Sequence, residues 1–371
     1  MALAVPFRVL PDFLEPNNLR LFFSATGVVA DTAKELSEDF SFARALARGV
    51  GPGRHGRGPG GHVFPPFERR TMPGLVGKRI GVVASGGSGA TASLCGVRRA
   101  FEEVGLEPVV LSTCSGATLF GALWACGLSA EDMASFWLGL ETRDYVDPDY
   151  RALARGALTG FRGYCGLLRG DAIEHTYRRK VGGRTLGQTV IPFSAVVWNI
   201  DHNAVEYLGT RTSPDLEVAL TARVAISIPI MVEPVKIGSS WYGDGGIVDI
   251  FPTPPLRTEG PLDFVLGINS YLPENFTGED IGSWHERTWS VLRASGQLRY
   301  AVYLELARER ARELGSRLTL IHPVGYEEVR GAQFYENFLD RSNWPRFMVQ
   351  GYRAARSALA QMARSAEQHA G

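Results

Sequence analysis

The sequence predicts an α/β fold, a mainly parallel central sheet flanked by helices, and three observations carry that expectation. Short apolar runs alternate with stretches of helical length from Lys78 onward. Glycine or proline stands at most of the junctions between them. Strand–turn–helix occurs twice between Arg79 and Gly127, the signature of parallel strands covered by helices. With 371 residues, 45% of them apolar, the chain is long enough for one large core or two smaller ones. The 39 basic and 39 acidic side chains cancel, which argues against a nucleic-acid partner needing a basic face. A neutral chain can still meet a lipid surface through apolar contact, so peripheral membrane contact stays among the expectations.

The four cysteines, Cys95, Cys114, Cys126 and Cys165, form no CxxC pair and no metal-ligand spacing. Their use fits a reducing compartment, and a cytoplasmic location is expected, with no metal. The first residues, MALAVPFRVLPDF, lack the basic start and apolar run of a secretory signal. No run of 18 apolar residues suggests a membrane span.

Residues 1–78 read as an N-terminal extension and residues 79–371 as the catalytic domain. Within the extension, helical segments are expected around Phe13–Phe23 and Asp31–Arg48. The Gly/Pro/Arg-rich stretch from Gly49 to His62 reads as a linker. A buried strand follows at Arg79–Ala84. A helix at Val97–Val104 stops at Gly105, where a left-handed cap suits glycine. A second strand is expected at Pro108–Leu111 and an apolar helix at Gly116–Cys126, closed by Gly127. Residues 129–185 look mostly helical. Strands are expected at Val190–Asn199, at Glu206–Leu208, up to Asp244, at Phe264–Ile268 and at Leu318–Pro323. Helices are expected at Leu216–Val224, Thr288–Leu314 and Trp344–Ala366.

Three motifs fall where strands end, the edge at which open parallel sheets bind ligands. The first is Ser85-Gly86-Gly87-Ser88-Gly89-Ala90, whose glycines let backbone amides approach a phosphate or an oxyanion. Its string also fits the dinucleotide fingerprint, but Ser112-Thr113 stands where that motif needs an acid. A plain glycine turn is the bland alternative. The second is Ser112-Thr113-Cys114-Ser115-Gly116, between a strand and a helix. A nucleophile elbow requires small residues two positions either side of its centre. Centring on Cys114 puts Ser112 and Gly116 there; centring on Ser115 puts the bulkier Thr113 and Ala117 there. An inert core cysteine is the competing reading. The third is Gly243-Asp244-Gly245-Gly246, a carboxylate held close to backbone, or simply a β-turn aspartate.

Together the three motifs resemble, in order and spacing, the patatin-like family of lipid acyl hydrolases. The residues that carry the resemblance are SGGSGATASLCGVRRAFEEVGLEPVVLSTCSGATLFGALWACG, then ARVAISIPIMVEPV, then WYGDGGIVDIFP. The likeness runs without gaps from Arg79 to Gly127 and resumes up to Pro252. It implies a patatin-like three-layer fold and an oxyanion loop at Gly86, Gly87, Ser88 and Gly89. It also implies a nucleophile–aspartate dyad with no histidine and no cofactor. The chain departs from the family pattern: Cys114 is read at the nucleophile position, Ser88 replaces a glycine, and Ala90 replaces a basic residue.

The expected chemistry is attack by Cys114 on an ester or thioester of an acyl lipid, with Asp244 as the base. Reference pKa values of ~8.5 for a thiol and ~3.9 for a carboxyl leave a gap of ~4.6 units, smaller than for a hydroxyl. A thioester acyl-enzyme reacts readily with other nucleophiles, so acyl transfer in a biosynthetic pathway is the second expectation. A catalytically inactive lipid-binding scaffold is the third. Phe136, Trp137, Tyr145, Phe161 and Tyr164 are expected either to line an acyl channel or to pack the core. The seven histidines, with His175 and His202 the nearest to exceptions, are expected to serve no catalytic role.

Overall fold

Parallel pairing carries the second strand beyond the apolar run that announces it. In the computed structural model, the residues described are 63–159, 165–277, 291–329 and 332–370. The two helices and the linker expected within residues 1–62 lie outside them. So do Phe161, Tyr164, His285 and the first residues of the helix expected from Thr288.

The strands are β1 (Ile80–Ala84), β2 (Val110–Cys114), β3 (Gly166–Leu168), β4 (Phe193–Asn199), β5 (Ala204–Gly209), β6 (Ile230–Val232), β7 (Val235–Ile237), β8 (Ser240–Asp244), β9 (Phe264–Ile268) and β10 (Leu318–Ile321). The helices are α1 (Ser93–Val104), α2 (Gly116–Ala125), α3 (Ala130–Gly139), α4 (Tyr150–Thr159), α5 (Asp171–Val181), α6 (Val218–Ala225), α7 (Val291–Leu314), α8 (Ala332–Leu339) and α9 (Trp344–Ala370). The main sheet has the order β10-β9-β1-β2-β4-β8-β7, with β5 also paired to β4. From β10 to β4 every pairing is parallel; β5, β7 and β8 add antiparallel pairings. The short strands β3 and β6, which lack any periodic signal, form a separate parallel pair.

Period-two alternation sorts the sheet residues into two cores. Val82, Ala84, Leu111, Ala195 and Ile268 face α1, α2, α3, α6 and α9. Val83, Val110, Cys114, Val196 and Val265 face the other way, onto Phe251, Phe276 and the α7 residues Leu304 and Ala307. The result is three layers, as expected. Phe136, Trp137 and Tyr145 join the first core: Trp137 lies 5.1 Å from Phe120 and 5.6 Å from Trp344, ring centroid to centroid. With Tyr145 also buried, core packing is the reading that holds for these two side chains.

Two differences from expectation position the site. The second strand ends at Cys114, not at Leu111, because Ser112, Thr113 and Cys114 pair with β1 or β4 despite their weak local β signal. Strand β4 also has one edge divided between two partners. Its first half pairs with β2, ending at Cys114↔Val196, and its second half pairs with β8, ending at Asp244↔Val197. Strand β5 occupies the opposite edge throughout. The ends of β2 and β8 therefore meet at consecutive positions of one strand.

Residues 63–78 pack on the same core. Phe64 and Leu75 are buried, and the Arg99 guanidinium lies 4.0 Å from the centre of the Phe67 ring. Helices α1 and α9 cross through glycines. A Cβ on Gly96 would overlap the Met348 carbonyl, and one on Gly351 would overlap the Ser93 carbonyl. Gly96→Ala and Gly351→Ala should each destabilise the fold by about 1–3 kcal/mol. The shift of the urea midpoint at unchanged slope measures this; a wild-type midpoint in both would refute the close crossing.

Candidate active site

At the end of β2 the backbone leaves ordinary conformational space. Ser115, between β2 and α2, has φ 50° and ψ −129°, a region that costs a non-glycine residue about 1–3 kcal/mol. This strained strand-to-helix turn is the geometry of a nucleophile elbow, and its centre is Ser115. Room for the flanking residues comes from their neighbours. The Thr113 side chain stands over Gly121 of α2, where a Cβ would come within 2.5 Å of the threonine methyl. The Thr113 hydroxyl is hydrogen-bonded to that of Thr118 at 3.0 Å. Gly116 is required because a Cβ there would overlap the Gly87 carbonyl.

Asp244 closes the arrangement. Its Oδ2 accepts a hydrogen bond from Ser115 Oγ at 2.6 Å, and its Oδ1 accepts one from the Gly246 amide at 2.7 Å. Its own amide donates to the Ser227 carbonyl, which helps hold the strand end. Asp244 is buried, and burial pushes its pKa up to about 7, against the hydrogen bonds from Ser115 and Gly246 that favour the charged form. The carboxyl is thus poised to exchange a proton near neutrality.

Cys114 occupies a different place. As the last residue of β2 it points into the second core with Val83, Val196 and Ile250, and it is fully buried. Its sulfur sits beneath Gly86 and Gly246, so close that a Cβ on either would lie 3.0 or 2.9 Å away. Burial raises the thiol pKa well above its ordinary value, and the charges of Asp244 and Asp249 raise it further. This corrects the expectation that Cys114 stands at the elbow beside Asp244: the strand runs three residues further than its apolar run, so the turn centres one residue later. The alternative Ser115 register, disfavoured by the size of Thr113, is the one the backbone adopts.

The glycine loop after β1 lies against the elbow through the contact of Gly87 with Gly116. Of its four expected oxyanion residues, Gly86 is already engaged. Its amide donates to the Ile250 carbonyl at 3.1 Å, so it turns toward the second core. Ser88 precedes a 3-10 turn, Gly89–Ala92, that is pinned by the Thr91 hydroxyl donating to the Ser88 carbonyl at 2.6 Å. Three supports escaped the sequence reading. Ser85 Oγ accepts from the Ser270 amide at 2.9 Å, Ser112 Oγ donates to the Pro252 carbonyl at 2.5 Å, and Gly246 orients the carboxylate. Each stands within one of the three motifs, Ser85 before the glycine loop, Ser112 beside the elbow and Gly246 in Asp-Gly-Gly, but no motif announces its bond.

No histidine bonds to Ser115 or Asp244 among the described residues. His202 lies in the β4–β5 turn, and His322 is bonded to Asn269 and Asn275. Among the described residues no His, Cys, Asp or Glu group is arranged to hold a metal ion, and no helix is long and apolar enough to cross a membrane.

Residues 82–257, which contain the whole arrangement of loop, elbow and carboxylate, match the model of the patatin-like phospholipase family. That match is a likeness of this segment to the family. The chain is 24% identical over 307 residues to lysophospholipase NTE1 of Cryptococcus neoformans, an alignment covering 78% of this chain and 17% of the relative. The chain thus spans about a sixth of that relative's length. Among solved structures it is similar to VipD from Legionella pneumophila, at 15% identity and a TM-score of 0.45. That likeness covers 77% of this chain and 67% of VipD. It is also similar to human GIVD cytosolic phospholipase A2, at 11% identity and a TM-score of 0.42, covering 92% of this chain and 67% of that one.

The burial of Cys114 has a direct consequence for its reactivity. Iodoacetamide should modify the exposed Cys165 in the native protein and leave Cys114 intact until the chain is unfolded. Peptide mapping that finds native-state alkylation at Cys114 would contradict the placement of this thiol.

Proposed function

We propose that this chain, patatin-like over residues 82–257, is a lipid acyl hydrolase that cleaves an ester bond through a Ser115–Asp244 dyad. The observation that carries the reading is the 2.6 Å hydrogen bond between a strained, turn-borne hydroxyl and a buried carboxyl. Ser115 Oγ attacks the ester carbonyl while its proton passes to Asp244 Oδ2. The negative charge on the tetrahedral oxygen is met by backbone amides of Gly87, Ser88 and Gly89, the loop residues that remain once Gly86 is bonded to Ile250. The alkoxide leaves with the proton held by Asp244, giving an acyl-serine ester. Water then attacks that ester, again giving its proton to Asp244, and Ser115 leaves to recover it.

The raised pKa of Asp244 supports this role. A carboxyl at about 7 is a far better base for a hydroxyl than one at its ordinary value near 4. Burial also keeps water from competing for the carboxylate before substrate arrives. The case for acyl transfer drew on a thioester intermediate, and the case for an inactive scaffold drew on a missing nucleophilic serine. A serine dyad removes both of these supports; the scaffold reading keeps only Ala90, which stands in place of the loop's basic residue. The absence of a basic residue at Ala90 favours substrates without an anionic group beside the scissile ester.

Ser115→Ala should lower kcat on a medium-chain acyl ester by at least about 10³-fold, whereas Cys114→Ala should stay within about 10-fold of wild type. A fluorophosphonate should label Ser115, as read by peptide mass. Full activity in Ser115→Ala would remove the dyad.

The pH profile follows from the same carboxyl. The base works only when deprotonated, so kcat/KM should fall as pH drops through about 7, with the slope of a single proton. A profile flat from pH 5 to 8 would show that another group takes the proton.

A further inference from the structure

A cavity of about 430 Å³ opens on the second core at the end of the sheet opposite Ser115, within the range usual for small-molecule sites. Its position follows from the strand register. Val265, in its wall, pairs with Gly81 and Leu318 near the starts of their strands, whereas the catalytic end of β9 is Ile268, beside Ala84. Its apolar lining is Leu256, Leu262 and Val265, all buried, and the half-buried Leu314. Two guanidinium groups, Arg257 and Arg317, line it as well.

The charges there do not balance. Glu313, the one acidic lining residue, is shared: its Oε2 lies 3.0 Å from Arg257 and 3.7 Å from Arg310. Arg317 meets no carboxylate within ion-pair distance among the described residues. Its bonds are long ones to the backbone carbonyls of Leu314 and Glu313, at 3.3 and 3.5 Å. An apolar chamber with surplus positive charge has complementary chemistry to a molecule with one hydrocarbon tail and one anionic end.

We infer that this cavity binds a single-chain amphiphile, its tail against Leu256, Leu262, Val265 and Leu314 and its carboxylate or phosphate head on Arg317 and Arg257. The site is separate from the dyad and stands whether or not Ser115 is a nucleophile. It is nevertheless connected to it. The wall at Thr253–Gly260 continues directly from the segment that carries Asp244, and Arg310, beside Glu313, lies 3.5 Å from the buried Asp249.

The test titrates the 371-residue chain in the Ser115→Ala background, which keeps an ester probe intact, with dodecanoate, dodecyl phosphate and methyl dodecanoate below their aggregation limits. One equivalent of dodecanoate or dodecyl phosphate should bind, the tighter of the two naming the head group. The methyl ester should bind at least tenfold more weakly. Adding Arg317→Glu, a change at an exposed residue, should weaken the anionic probe at least tenfold. A diazirine-bearing dodecanoate should cross-link to peptides spanning 253–265 and 313–318. Cross-links confined to residues 85–92 and 115–120 would overturn the inference by placing the tail at the dyad. Equal affinity for the methyl ester, or no effect of Arg317→Glu, would overturn it by removing the charged head.

Discussion

The division of one edge of β4 between two strands is the constraint from which the rest follows. Strand β2 arrives parallel and stops at Val196; β8 arrives antiparallel and stops at Val197. Hydrogen-bond register, not a flexible loop, sets the distance between the residues that follow. The elbow and the carboxylate are then placed by the same ladder, which limits their relative motion to that of a sheet. This is why a hydroxyl and a carboxyl far apart in the chain can hold a 2.6 Å bond with no third side chain, among the described residues, to orient them. Gly245 shows how tight the junction is: a Cβ there would lie 2.6 Å from the β4 backbone between Val196 and Val197.

Much of this is legible in the sequence. The layers, most strands and helices, the loop at Gly86–Gly89 and the carboxylate at Asp244 follow from apolar runs, glycines and motif order. What failed was a single register. Ser112, Thr113 and Cys114 have no apolar pattern to mark them as strand, so the local reading ended β2 at Leu111 and centred the turn one residue early. Long-range pairing decided the matter, and no local signal reports such pairing. The bulk of Thr113 misleads for a related reason. Steric demand at the elbow depends on what faces it, and Gly121, six residues into α2, supplies the space. The occupied amide of Gly86 was equally invisible, because its acceptor is the carbonyl of Ile250.

The site carries two local costs and uses both. Ser115 holds a backbone conformation that few side chains adopt, which lifts its hydroxyl clear of the β2 ladder. Asp244 holds a carboxyl out of water, which raises its affinity for a proton. Neither would persist on a mobile surface loop. Each is over-determined by packing: Gly116 under Gly87, Gly246 against the carboxylate, and Cys114 filling the space beneath two glycines. The cysteine thus contributes shape, as a small hydrophobe that a larger residue could not replace without displacing Gly86 or Gly246.

The span between Ser115 and Asp244 is 129 positions, and it includes α2 to α6, the β3–β6 pair and the β5 hairpin. Since both reacting groups are clamped to neighbouring rungs of β4, most of that excursion carries no responsibility for their separation. Chain entropy charges little for lengthening such a detour, about 0.6 kcal/mol per doubling. The connections that join α3 to α5 can therefore lengthen at little cost to the Ser115–Asp244 bond, while α3 and α5 themselves stay anchored in the first core through Trp137 and Tyr177.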